Sequence, residues 1–380
     1  MHNSESALSR ASGSNATFDV AFYRATYPDV RLAKMTDAQL EQHWINYGRH
    51  ETASGKRGVS PDFDESRYLA SRPDVLEAIQ RGIFTSGYDH WLRYGRAESG
   101  PSGPNNCFTR RSLPSPSILS DEEIAQWDSN GYLVLKGVIS AERCDAVTAR
   151  IKSLWADRVA AAPVSIDISL HNEAAKRIRF SEANDEDQYT PYKLNDLFLF
   201  ENAVQELALD QKVCSVLNWI LDDEATCCGS LNFERGSTQV FHQDTLYMPG
   251  KTTGGMAAAW FALEDVVHSA GPLAYYPGSH HIPLYHFTTN RPHQADAEFG
   301  DYHNFMFEQI RDMGLKKEIF LPKKGDVLIW NERLFHAGSA ISDMNVTRRS
   351  LVTHYWRASE LPHGDSIALM GGRIWNRKPL

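Results

Sequence analysis

The stretch after Leu221 constrains the fold most. From there the chain reads as a series of short apolar runs: ATCCGSLNFE, TQVFHQD, MAAAWFALED, LAYYPGS, EIFLP, DVLIWN and SLVTHYW. Gly, Pro, Asn and Asp break them up. Runs this short, rich in β-branched and aromatic residues, suit strands, and the residues between them suit tight reversals. Many such strands in succession point to a sandwich or barrel, where closure buries the apolar faces and removes the edges. Helices are expected ahead of this region. Ser120-Asp121-Glu122-Glu123 reads as a helix start with a carboxylate three residues after the cap. GYLVLKGVI follows as a strand, and SAERCDAVTARIKSLWADRV as a helix capped by Ser140. A further helix is predicted over roughly 201–221, with Val204, Leu207, Leu209, Val213, Val216, Leu217 and Ile220 as its apolar set. The fold class expected is mainly β with flanking helices.

The N-terminal part has a different pattern. Residues 1–17 are Ser- and Asn-rich and read as a disordered tail. An internal repeat follows. Phe18-Asp19, Tyr23, Pro28-Asp29-Val30 and His43-Trp44-Ile45-Asn46-Tyr47-Gly48-Arg49 return as Phe63-Asp64, Tyr68, Pro73-Asp74-Val75 and His90-Trp91-Leu92-Arg93-Tyr94-Gly95-Arg96. The offset grows from 45 to 47, so one loop carries two extra residues. A self-match this dense marks a duplication. Each copy (18–58 and 63–100) reads as two short helices, the first opened by Pro and the second stopped by Gly. Units of this size cannot bury enough surface alone, so the pair is expected to pack together, with His43, Trp44, His90 and Trp91 as packing residues. Residues 101–118, rich in Pro, Ser and Gly, read as a linker, and 119–380 as the catalytic domain.

Composition narrows the setting. A net charge of −9 argues against nucleic acid or an anionic membrane as main partner. The five cysteines, Cys107, Cys144, Cys214, Cys227 and Cys228, form no C-x-x-C, and the close pair is vicinal, a poor disulfide geometry. They read as reduced thiols of a cytoplasmic protein. The polar start MHNSESALSRASGSN lacks the apolar core of a secretory signal, and no stretch approaches 18 apolar residues, so no membrane span is expected.

Two pieces carry chemistry. In Phe241-His242-Gln243-Asp244, residues two apart at a strand end project to one face, so an imidazole and a carboxylate can share a metal. His336, in DVLIWNERLFHAGSA, again closes an apolar run. Two imidazoles and one carboxylate leave coordination positions open, the arrangement of non-haem Fe(II) oxygenases. A lone H-x-D is weak evidence in a chain with 15 His, and a hydrogen-bonded core histidine is the plain alternative. His280 reads as a brace for the Pro277-Gly278-Ser279 turn or as outer support for the metal site, rather than as a metal ligand.

The surrounding order adds weight. His242-Gln243-Asp244, Tyr247, Pro249, Trp260, Gly271-Pro272-Leu273, Pro277-Gly278-Ser279-His280, His336 and Arg348 resemble the phytanoyl-CoA dioxygenase family in order and approximate spacing, from about Glu122 to Trp356. The resemblance implies a double-stranded β-helix (jelly-roll, cupin-like) fold. It implies Fe(II) on His242, Asp244 and His336, with 2-oxoglutarate and O₂ as co-substrates. It places Arg348 on the distal carboxylate of 2-oxoglutarate, a bidentate and permanently charged clamp. One extra residue between His336 and that arginine leaves Arg349 as the alternative, and makes Ser339 rather than Gly338 the match for a small hydroxyl residue beside the co-substrate. Trp260 matches an aromatic wall, and Lys193 a lysine reaching the same acid. The reaction implied is hydroxylation of an unactivated C–H of a small molecule, with release of succinate and CO₂. Asp244 favours hydroxylation over halogenation, since related halogenases lack this carboxylate.

The repeats resemble units found in bacterial proteins, often beside polysaccharide-related glycosyltransferases. That association points to a carbohydrate- or lipid-linked substrate, with the repeats binding a carbohydrate or a protein partner. Residues 286–315, without clear periodicity, read as an insertion over the pocket mouth. The rival functions are a non-catalytic glycan- or partner-binding protein with a relic barrel, and a metal-dependent isomerase needing no 2-oxoglutarate. Iron-dependent turnover of the keto acid separates the first, and the Arg348 clamp the second.

Overall fold

The structure is a computed structural model. It describes residues 113–378 apart from 160, 162, 169–175, 252–253, 283–284, 286, 288–297 and 363, together with 20, 23–24, 27, 30, 33–48, 68–69, 72, 73–81, 84 and 87–90. The expected tail (1–17), most of the expected linker, and Trp91, Tyr94, Cys107, His286 and His293 lie outside the described residues. The chain divides into two compact units, Met1–Arg110 with Pro283–Arg291, and Arg111–Ile282 with Pro292–Leu380.

In the first unit, helices α1 (Asp37–His43), α2 (Pro73–Gln80) and α3 (Gly87–His90) are described, and α1 runs into a wider turn ending at Gly48. Pro73 opens α2, where its fixed φ and missing N–H cost nothing. Tyr23, Tyr27, Val30, Leu40 and Trp44 of the first copy share one buried cluster with Tyr68, Leu69 and Val75 of the second. Each copy ties a tyrosine to its histidine: the Tyr23 hydroxyl to His43 Nδ1 at 3.1 Å, and the Tyr68 hydroxyl to His90 Nδ1 at 2.8 Å.

The second unit begins with α4 (Asp121–Asn130). Ser120 and Glu123 form a reciprocal capping box, satisfying two N–H groups that the helix itself leaves unpaired. Gly131 ends the helix at φ +77, and a Cβ there would lie 2.5 Å from the His280 ring, so conformation and space both require glycine. Then come β1 (Tyr132–Leu135), α5 (Ala141–Ala156), β2 (Ser165–Ile168), β3 (Lys176–Arg179), β4 (Tyr192–Asn195), α6 (Asn202–Ala208), α7 (Gln211–Leu221) and β5 (Ala225–Phe233). The helix predicted over 201–221 is thus two. Asp210 breaks it, its carboxylate accepting the N–H groups of Lys212 and Val213 and starting α7 afresh. Strands β6 (Met256–Ala262), β7 (Leu273–Tyr275), β8 (Glu318–Phe320), β9 (Val327–Asn331), β10 (His336–Gly338), β11 (Ser350–Arg357), β12 (Ser366–Leu369) and β13 (Gly372–Trp375) complete the sheets. Between β7 and β8 lies α8 (Phe299–Asp312), in the region expected to lack periodicity. Its buried side chains, Tyr302, Phe305, Met306 and Ile310, do keep a helical spacing.

The large sheet runs β1-β9-β6-β11-β5-β4-β2-β3, with β13 joining β5 in parallel and β12 pairing with β13. A small sheet, β10-β7-β8, faces it. Strand alternation sorts the side chains. Leu133, Leu135, Ala257, Ala259, Phe261, Val327, Ile329, Leu351 and Tyr355 turn to one face and bury α5, α6 and α7 through residues such as Val147, Leu154, Leu207, Val213 and Leu217. Tyr132, Phe233, Trp260, Leu328, Trp330 and Val352 turn to the other and meet Leu273, Tyr275 and Phe320 of the small sheet. Two facing sheets with helices on one outer face match the mainly β, jelly-roll class. No helix among the described residues is long and apolar enough to cross a membrane.

Candidate metal centre

The centre forms where the small sheet gains a fourth member. His242 and His336 pair directly as an antiparallel bridge: His242 N–H donates to His336 O at 2.9 Å, and His336 N–H to His242 O at 3.0 Å. The imidazoles therefore emerge side by side, with centroids 4.3 Å apart. Each Nδ1 lies 2.8 Å from the carbonyl two residues upstream, Val240 for His242 and Leu334 for His336. A carbonyl only accepts, so each Nδ1 carries the proton and each Nε2 keeps its lone pair. Asp244 opens a short turn (Asp244–Leu246), and its Oδ1 lies 3.7 Å from both Nε2 atoms. Its Oδ2 accepts from Trp330 Nε1 at 2.8 Å. One ligand atom from each of His242, Asp244 and His336 falls within 4.8 Å of the others, and all three residues are buried.

Electrostatics prepare these groups for a cation. Burial, then the neighbouring His336, pushes His242 down to about 3, so its imidazole is neutral at physiological pH. Burial alone would raise Asp244. The imidazoles of His336, His354 and His242 and the Trp330 hydrogen bond outweigh it and hold the carboxyl below its ordinary range. Two imidazole nitrogens and a carboxylate oxygen in a buried site fit a divalent first-row metal with open positions. The segment bearing the ligands is well fastened. Gln243 Nε2 donates to Arg333 O at 2.7 Å, and His303 Nε2 of α8 lies 2.6 Å from Phe241 O. Behind the turn, the Glu332 carboxylate accepts the N–H groups of Gly250 and Gly254, and burial pushes it up to about 7.

His242, Asp244 and His336 line a cavity of about 60 Å³, whose walls also contain Trp260 and Arg348. Arg348 is 1% exposed. Its Nη1 donates to Gly271 O at 2.9 Å, its Nε has no partner, and no described carboxylate pairs with it. The guanidinium lies 5.7 Å from the Phe233 ring centroid and 5.8 Å from that of Trp260, and burial lowers its pKa to about 10. Arg349 points to the other face. It donates to Glu234 at 2.7 Å and to Glu264 at 3.0 Å. Trp260 is buried against Phe320, edge to face at 5.8 Å, and its indole N–H has no partner.

Two residues expected beside the co-substrate are not among those lining this cavity. Lys193 is not in the cavity wall. It sits opposite Asp167 in the β2–β4 register, and its Nζ lies 3.4 Å from that carboxylate, which also binds Arg177. Ser339 is also outside the wall. Alternation along β10 puts Gly338 on the His336 face, and the Ser339 amide bonds to Pro272 O at 2.9 Å. The hydroxyl on that side belongs to Ser237, whose Oγ would lie 2.3 Å from a Cβ on residue 338. Gln239, Trp330 and His354 were also not anticipated, yet all line the cavity. Alternation from Arg348 along SLVTHYW would have placed Val352 and His354 on its face, and His354 has an unpartnered, buried Nδ1. His280 Nε2 lies 3.3 Å from the carbonyl of Asp128 in α4.

Comparison with known proteins agrees in extent. A family model described as Phytanoyl-CoA dioxygenase (PhyH) matches residues 127–350. "Phytanoyl-CoA dioxygenase, peroxisomal" of Rattus norvegicus is 24% identical over 272 residues, which cover 68% of this chain and 75% of that protein. "Phytanoyl-CoA dioxygenase domain-containing protein 1" of Danio rerio is 23% identical over 273 residues, covering 60% of this chain and 87% of that one. Among solved structures, the non-heme alpha ketoglutarate dependent carbocyclase SnoK from nogalamycin biosynthesis aligns with a TM-score of 0.50 at 17% identity, over 69% of this chain and 99% of its own, a likeness of fold.

Proposed function

The chain belongs to the phytanoyl-CoA dioxygenase family, and from that premise we propose that it is an Fe(II)- and 2-oxoglutarate-dependent oxygenase that hydroxylates an unactivated C–H bond of a small molecule, with release of succinate and CO₂. One observation carries the reading: a buried two-histidine, one-carboxylate set and a buried arginine with no carboxylate partner among the described residues share one cavity. In this reading His242, Asp244 and His336 hold the iron. Arg348 binds the distal carboxylate of 2-oxoglutarate, an anion that would offset an otherwise costly buried charge. Trp260 walls that end, and Ser237 and Gln239 offer polar atoms along it. Bound iron, with O₂ and 2-oxoglutarate, supplies the oxidising chemistry.

The protein's own part is to position and to exclude water. Leu231, Phe233, Leu273 and Val352 give the cavity apolar walls, which keep solvent from reacting groups and strengthen the charge pairs inside. Asp244 supplies the carboxylate that hydroxylation requires in this family. The substrate class we favour is carbohydrate- or lipid-linked, with the repeats presenting a carbohydrate or a protein partner, and the support for it is the repeat resemblance alone. An anaerobic titration of the full chain with Fe(II) and 2-oxoglutarate, followed by O₂ and a metabolite screen read by succinate release, tests the proposal. Iron-dependent succinate formation is expected. Its absence with iron bound would favour the reading as a binding protein.

A further inference from the structure

Trp330 holds Asp244 Oδ2, the carboxylate oxygen other than the one that lies 3.7 Å from both imidazoles. It lies on β9, opposite Tyr132 of β1 and Ala258 of β6, and turns its indole into the space between the sheets. Ala258 leaves room beside the ring. The His336 imidazole lies 5.1 Å from it, centroid to centroid. The indole N–H is a donor with a single hydrogen, and it is spent on Asp244 Oδ2 at 2.8 Å. Among the described residues it is the one hydrogen-bond donor to that oxygen. Both partners are more than nine-tenths buried, at 2% and 6% exposed.

We propose that Trp330 is a positioning residue that restricts Asp244 to binding the metal through Oδ1 alone. The inference rests on the proposed metal centre. A carboxylate has two equivalent oxygens, and a metal can take one or both. Here the equivalence is broken before any metal arrives. Oδ1 lies 3.7 Å from both Nε2 atoms, while Oδ2 is tied to a strand of the large sheet by a charge-assisted hydrogen bond. Swinging Oδ2 toward the histidines would break that bond and leave a buried indole N–H unpaired. A carboxylate confined to one oxygen occupies one position and leaves another for a co-substrate.

The test uses the full chain, Co(II) as probe and no O₂. Calorimetry gives the dissociation constant and visible absorption reports the coordination of the ion. Trp330→Phe keeps a ring in the core and removes the donor. A 10- to 100-fold weaker Co(II) affinity is expected, roughly the usual effect of losing a hydrogen bond to a metal ligand, with an altered visible spectrum. An unchanged constant and spectrum would overturn the inference. A wild-type chain that binds no Co(II) would reject the metal centre itself and this inference with it. Should the variant not fold, a crystal structure of Co(II)-loaded wild type decides. Oδ1 on the metal with Oδ2 on the indole supports the proposal, and chelation by both oxygens overturns it.

Discussion

Arg348 offers a sharp prediction because its effects on stability and on binding have opposite signs. Its pKa falls from 12.5 to about 10, with burial as the cause. At about 1.36 kcal/mol per pH unit, holding the charge there costs roughly 3 kcal/mol. The folded form of a base with a lowered pKa prefers the neutral state. The cost is therefore present in full at every pH below about 10 and fades only above it. Arg348→Met removes that cost but strands the Gly271 carbonyl, a loss of about 1–3 kcal/mol. Metal-free stability should thus stay level or rise by up to about 2 kcal/mol. Affinity for 2-oxoglutarate should fall, because stripping one partner from a buried charge pair costs about 3–5 kcal/mol, upwards of about a hundredfold. Arg349→Met should do the reverse: it frees Glu234 and Glu264, lowers stability by about 1–3 kcal/mol and leaves the keto acid untouched. Urea unfolding of the metal-free chain and anaerobic 2-oxoglutarate titration of the Mn(II) form measure the two effects. A destabilised Arg348→Met, or one binding 2-oxoglutarate normally while Arg349→Met does not, would refute the reasoning.

Three further outcomes are expected. His242→Ala, Asp244→Ala and His336→Ala should each lose Fe(II) binding and turnover while keeping the far-UV spectrum of the wild type, and any of them retaining stoichiometric iron would strike that residue from the ligand set. Glu332, raised by burial from 4.5 to about 7, should contribute stability that is complete below pH about 4.5 and is lost as pH rises through about 7. Glu332→Gln should therefore gain roughly 3 kcal/mol on the wild type between pH 5 and pH 8 in urea unfolding, at about 1.36 kcal/mol per pH unit, and parallel pH profiles would exclude this. A chain starting at Ser117 should fold and keep uncoupled 2-oxoglutarate turnover, since His242, Asp244, His336 and Arg348 all follow it; an insoluble product would make the repeats structural.

Features decided within a few residues could be read from the sequence, and those decided by distant partners could not. The Ser120–Glu123 capping box is a four-residue event and stands where its letters put it. His242, Asp244 and His336 could be read as a set because H-x-D and a distal His each close an apolar run; the bridge between the two histidines and the short turn at Asp244 then bring them together. Gly338 against Ser339 was equally open to that rule. Lys193 was not: its place depends on the register of β4 against β2, which delivers it to Asp167. Arg348 and Arg349 are separated by Glu234 and Glu264, about a hundred residues upstream. The break at Asp210 was hidden because apolar residues continue at helical spacing on both sides of it. In α8, aromatic and polar letters masked a periodicity that only Tyr302, Phe305, Met306 and Ile310 carry.

The paired backbone bonds between His242 and His336 reach beyond geometry. They fix the spacing of two imidazoles by main chain rather than by rotamer, so the nitrogen pair exists whether or not an ion is there. A pocket made in advance spends little free energy on rearrangement, and it spends the same for every divalent ion of suitable size. Its preferences then default to the intrinsic order of first-row metals, in which Ni(II), Cu(II) and Zn(II) bind imidazole and carboxylate more tightly than Fe(II) does. Iron would be chosen by supply, and a trace of zinc in a preparation would outcompete it and silence the oxygenase without disturbing a single strand.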